Sequence, residues 1–189
     1  MAAAVDQESA PAGSARLVAA ALAGGAVAVA LGVYSEVHDP AGEQPYRLFF
    51  TGTIQLKAWL CTLALLFAGF QLLSALRMYG RIGDPATAPG WLGDAHRLSG
   101  ILAFLATLPV AYHCLWSLGF SDLDLRTLLH SLLGCAFYGA FVTKVVLVRS
   151  RGLAGWVLPV VGGLVLALLV GLWLTSSLWF FTSSGQPAV

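Results

Sequence analysis

The chain has 189 residues, of which 58% are hydrophobic and only 10% charged, with a formal net charge of +1. A water-soluble domain carries about 25% charged residues, so this chain lacks the surface to be one. The small net charge leaves no electrostatic footprint for nucleic acid. The apolar runs are continuous over roughly 20 residues, which suits transmembrane helices rather than the alternating strands of a barrel.

The expected fold is all-α: an integral membrane bundle of five transmembrane helices, over about residues 17–34, 53–78, 95–118, 126–148 and 153–181. Residues 1–15 read as a disordered N-terminal tail, 16–182 as a single transmembrane domain and 183–189 as a short polar tail. The first segment does not read as a signal peptide, because Arg16 is its only cation against Asp6 and Glu8. The preference for Ala, Gly, Leu and Arg suits a GC-rich bacterial genome.

Helix one is rich in small residues, among them Gly24, Gly25 and Gly32, which let helix backbones approach in lipid. The loop after it holds Glu36, His38, Asp39, Pro40, Glu43, Pro45 and Arg47, and His38 reads as a solvated loop histidine. Helix two carries Lys57 about one turn inside and Gln71 deeper. Lys57 either snorkels to the interface or faces an anionic group at its depth, such as a haem propionate. Trp91 ends the next loop as an interfacial anchor. Helix three enters with His96 and Arg97, and its Pro109 predicts a kink one turn before His113. A loop with Asp122 and Asp124 leads to helix four, which holds His130 near its start and Lys144 near its end. Helix five has no ionisable side chain.

Orientation follows from the cations. Arg16, Arg77, Arg81, Arg97, Lys144, Arg149 and Arg151 fall on one side, seven against the three of Arg47, Lys57 and Arg126 on the other. The basic side is the cytoplasmic one. The N-terminus is then inside and the C-terminus outside, in a multi-pass protein of the cell membrane. His113, His130 and Lys57 lie near the outer face and His96 near the inner face.

Ionisable side chains within a span are costly and point to function. His113 and His130 flank one short loop, each roughly 6–8 Å below the outer boundary at 1.5 Å per residue. Two neutral imidazoles at one depth suit the axial positions of a single haem b, which favours electron transfer over oxygen binding. Gly134, one turn from His130, leaves room for a porphyrin edge, and Phe137 and Phe141 offer faces to pack on it. Lys57, with Arg47 and Arg126, suits the propionates. Other readings are a copper or zinc site on His113, Cys114 and His130, a transporter or channel, and a non-catalytic structural or assembly subunit. Cys114, though, points about 100° away from His113 around the helix. Cys61, Cys114 and Cys135 form no CxxC or CxxCH, which argues against zinc-ribbon and c-type haem chemistry. No GxGxxG, GxSxG or HExxH occurs, so nothing indicates a nucleotide-dependent enzyme or hydrolase.

Two HxxxG segments, His96-Arg97-Leu98-Ser99-Gly100 and His130-Ser131-Leu132-Leu133-Gly134, make the chain resemble membrane b-type cytochromes of the ferric-reductase and cytochrome b-561 kind. The stretch Leu129–Phe141 also resembles a group of small uncharacterised bacterial multi-pass membrane proteins of about this length. The resemblance covers about a third of the chain. It implies an electron-transfer subunit with haem as cofactor. Members with two haems carry four histidines in two pairs, and His96 has no histidine partner on the inner side, so one haem is implied. His96 and Arg97 are then expected to meet a quinone, lipid headgroups or a partner subunit. An extracytoplasmic redox protein would complete the reaction at the outer face.

Overall fold

The computed structural model describes residues 9–44 and 46–183. The tail expected over residues 1–15 therefore lies outside the described residues up to residue 8, as do Pro45 and positions 184–189 of the C-terminal tail. The described residues are helical, with no strand among them. Five helices of 24 to 27 residues, with mean hydropathy from 1.7 to 2.5, are long and apolar enough to cross a membrane. The chain is a multi-pass membrane protein.

Helix α1 spans Ser9–Val37, two turns longer at its start than the apolar run alone predicts. Pro11 falls in its first turn, where a missing N–H breaks no helical bond. Helix α2 spans Thr53–Met78. It ends at Gly80, whose φ of +68° lets the Arg81 N–H reach the Leu76 carbonyl at 2.8 Å. That closure satisfies a carbonyl the helix would otherwise leave open. Helix α3 spans Leu92–Tyr112 and runs on as a π-helix, His113–Leu118. Helix α4 spans Leu125–Val148, started by a capping box in which Asp124 and Thr127 bond reciprocally. Helix α5 spans Val157–Trp173, then a π-helix Leu174–Leu178 and a last turn Trp179–Thr182. It starts one turn later than expected, because Gly152 turns the chain at φ +72°.

The contacts gather into two compact units. In the first, residues up to Asp39 join Phe120–Gly171, and α1 packs on α4. Its centre is Ala20, Leu147 and Val157, surrounded by Leu17, Leu153, Leu158 and Val161. Gly24 and Gly139 bring the two backbones together, and a Cβ built on Gly139 would lie 2.6 Å from the Gly24 carbonyl oxygen. The Thr143 hydroxyl then reaches the Ala20 carbonyl at 3.2 Å.

In the second unit, Pro40–Gly119 joins the chain from Leu172 onward, and α2 packs on α3. The last π-helix lies against α2 as well. The Trp173 indole donates to the Thr62 hydroxyl at 2.9 Å, and the Ser177 hydroxyl to the Ala58 carbonyl at 3.1 Å. Each bond puts a polar group of a membrane helix onto a partner inside protein, away from lipid.

Candidate functional site

The second unit holds the most unusual polar side chains. His113 opens the π-helix and is only 3% exposed. Among the described residues nothing hydrogen-bonds its Nδ1. Its ring lies near the Glu43 backbone and within electrostatic reach of Lys57. Ser117, four residues on and 1% exposed, likewise has an Oγ with no partner. A buried polar atom left unpaired costs about 1–3 kcal/mol. Two of them on one π-helix, a feature frequent at functional sites, make this turn the candidate site.

The surrounding side chains fix the turn. Tyr46, from the loop after α1, donates its hydroxyl to the Pro109 carbonyl, the same oxygen that accepts from the His113 N–H. Burial first, then Tyr112 and Cys114, push the Tyr46 phenol above its ordinary value, which keeps it a donor. Its ring stacks on Tyr112 at 6.3 Å, and Tyr112 stacks on Trp116. Lys57 on α2 extends its Nζ to the Cys114 Sγ at 3.7 Å. Lys57 and His113, expected from sequence to share a depth, are thus neighbours in one unit. The helix continues past Pro109, and the widened π-helical turn begins four residues after it.

His130, Gly134 and Phe137 stand on α4, in the first unit. His130 and Gly134 are half-buried. Phe137 is buried, edge-on to Tyr138 with ring centroids 5.2 Å apart and tilted against Phe141. Arg126 lies 4.0 Å from the Asp124 carboxylate. His38 stacks on Tyr34 at the end of α1. Among the described residues, no group of three or more His, Cys, Asp or Glu forms a metal-binding cluster.

A second polar group sits toward the other end of α2 and α3. The Ser74 hydroxyl lies 2.8 Å from His96 Nδ1, and Gln71 donates to the His96 carbonyl at 2.7 Å. Gly100 makes room for that amide, since a Cβ there would run into the Gln71 side chain. Arg97 is exposed and paired with Asp94 at 3.0 Å.

Sequence reasoning passed over Tyr46, Ser74 and Ser117. For Ser117 a signal was present, a hydroxyl one turn from an intrahelical histidine. For Tyr46 and Ser74 there was none, since their partners are 63 and 22 positions away.

Residues 17–188 match the model of DUF6529, a family of unknown function. No curated protein matches the chain, and no solved structure does.

Proposed function

The chain belongs to that family of unknown function, and we propose that it is an electron-transfer subunit of the cell membrane, similar to b-type cytochromes. It would hold one haem b near the outer face, with His113 and His130 as axial ligands. One observation carries the reading: the His113 ring is buried, on a π-helix, with its Nδ1 unpartnered. Imidazole nitrogen is a common axial ligand of haem iron, and a buried ring with an unsatisfied nitrogen is where a bound group would be expected.

The residues around His113 fit such a group. Lys57 supplies a cation beside it for a propionate, and Tyr46 and Tyr112 hold the turn. His130, Gly134 and Phe137 enter on the sequence grounds of matched depth and small-residue spacing. When bound, haem supplies a one-electron couple at an iron with both axial positions filled. The excess of cations at one set of helix ends supports an N-terminus in the cytoplasm and a C-terminus outside. At the inner end, the Ser74–His96 contact supports a quinone headgroup near His96 and Arg97, since a hydroxyl that donates to His96 Nδ1 leaves Nε2–H to donate to a quinone oxygen. Electrons would leave to an extracytoplasmic redox protein or a partner subunit.

The test is an absorption spectrum of the detergent-purified protein, oxidised and then reduced with dithionite, with metal analysis alongside. A Soret band and α/β bands that sharpen on reduction are expected. His113→Ala and His130→Ala should each remove them, and His38→Ala should not. A colourless, metal-free protein would refute the reading and favour a structural or assembly subunit, and copper or zinc in place of iron would refute the haem.

A further inference from the structure

The first unit gathers cations at one membrane boundary. Arg16 lies near the start of α1, the apolar span of α4 ends at Val148 and that of α5 begins at Val157, so the turn between α4 and α5 runs along the boundary. Arg16 reaches over that turn and donates its guanidinium to the Arg151 carbonyl. Its Nη1 lies 3.7 Å from where a Gly152 Cβ would stand. The turn can come this close because Gly152 takes a φ of +72° and Gly13 lies against its carbonyl. The buried trio Ala20, Leu147 and Val157 fixes the three helix ends beneath it.

The fold thus pins Arg16 beside Arg151, although 135 positions separate them. Arg149 stands two residues before Arg151, and Lys144 lies just over one turn earlier on α4. Arg149 and Arg151 are both exposed. Arg16, Arg149 and Arg151 thus all lie at one short turn on the boundary, and an anion placed there is attracted by each of them in a medium of low dielectric. Below the cations the surface is apolar and exposed at Val18, Val148 and Val160, which suits acyl chains. Trp156, 60% exposed at the same level, suits the headgroup layer.

We propose that this corner binds the phosphate of an anionic phospholipid, with Arg16, Arg149 and Arg151 as its cationic contacts. Free inorganic phosphate has the same charge chemistry but no use for the apolar surface, so the lipid is the occupant. The site is independent of the haem reading and lies on other residues.

The full-length protein in detergent is titrated with dioleoyl phosphatidylglycerol, dioleoyl phosphatidylcholine or inorganic phosphate. Unfolding temperature and lipid adducts in native mass spectrometry are read. The anionic lipid should bind at least about tenfold more tightly than its zwitterionic match, and less so in high salt. Each cation removed should weaken it about fivefold. Arg149→Gln is the first variant, because that side chain is exposed. Arg16→Gln with Arg151→Gln should weaken binding about 25-fold, and Arg81→Gln, in the loop after α2, should leave it unchanged. Equal binding of the two lipids, or an unchanged affinity in Arg149→Gln, would overturn the proposal. So would inorganic phosphate reproducing the full stabilisation, since the site would then serve a free anion. If the double variant does not fold, the single variant decides.

Discussion

Gly24 and Gly25 are neighbours on α1, and alanine should act oppositely at the two. A Cβ at Gly24 would collide with the Gly139 carbonyl and the Thr143 hydroxyl, whereas one at Gly25 meets nothing within 4 Å. The carbonyl belongs to the backbone of α4 and cannot turn aside, so Gly24→Ala must push the two helices apart. Overpacking of this kind costs about 1–3 kcal/mol. Separation also stretches the Thr143 to Ala20 bond of 3.2 Å, and such bonds in membranes contribute about 0.6 kcal/mol. Against both stands the better helix propensity of alanine, about 1 kcal/mol. The net expectation for Gly24→Ala is a loss of about 1–2 kcal/mol. Gly25→Ala keeps the propensity gain alone and should be neutral or stabilise by up to about 1 kcal/mol. The assay is unfolding in mixed micelles by titrated dodecyl sulfate, followed by far-UV circular dichroism. If the two substitutions shift the midpoint in the same direction, the close approach of α1 and α4 is wrong.

Three further outcomes follow from individual contacts. Gly100→Ala should cost less than Gly24→Ala, because the atoms in its way are the end of the Gln71 side chain, which can swing off the His96 carbonyl; an equal loss in the same assay would contradict this. Trp173→Phe and Thr62→Ala should be non-additive, since each removes the same 2.9 Å bond, with a coupling of about 0.6–1.7 kcal/mol in a double-mutant cycle. Asp124→Ala should fray the start of α4, read as faster amide exchange over Leu125–Leu129. The Thr127 N–H at 2.8 Å is the main reason the Asp124 carboxyl lies below its ordinary value. A depressed carboxyl contributes its stability above the unfolded pKa and loses it as pH falls through the folded one. The difference in exchange between wild type and variant, compared at each pH, should therefore be full at neutral pH, begin to decline below about pH 4 and vanish only once the pH is below the lowered folded pKa.

The five helices were legible because a bilayer demands long apolar runs, and only helices satisfy their own backbone there. Their ends were less so. The start of α1 at Ser9 and the late start of α5 depend on where prolines and a left-handed glycine fall, not on hydropathy. Which helix packs on which was not legible. These helices are apolar on most sides, because lipid asks no polar face of them, so periodicity gives no buried stripe to read. Gly24 announced a close packing, but its partner Gly139 had no mark that set it apart from Gly134 or Gly171.

The same limit applies to the two histidines. Counting residues from a loop gives depth along the membrane normal, and depth is what suggested one haem for His113 and His130. Lateral position has no such ruler. The structure supplies it only within each unit: His113 lies with Lys57, Cys114 and Tyr46 in the second, and His130 stands on α4, packed on α1, in the first. The two ligand assignments therefore rest on different grounds, a buried unpartnered nitrogen for His113 and sequence depth for His130. The single-histidine variants separate them. If His113→Ala bleaches the protein and His130→Ala does not, a haem is held through His113 and the second ligand has to be sought among residues the hairpin did not suggest.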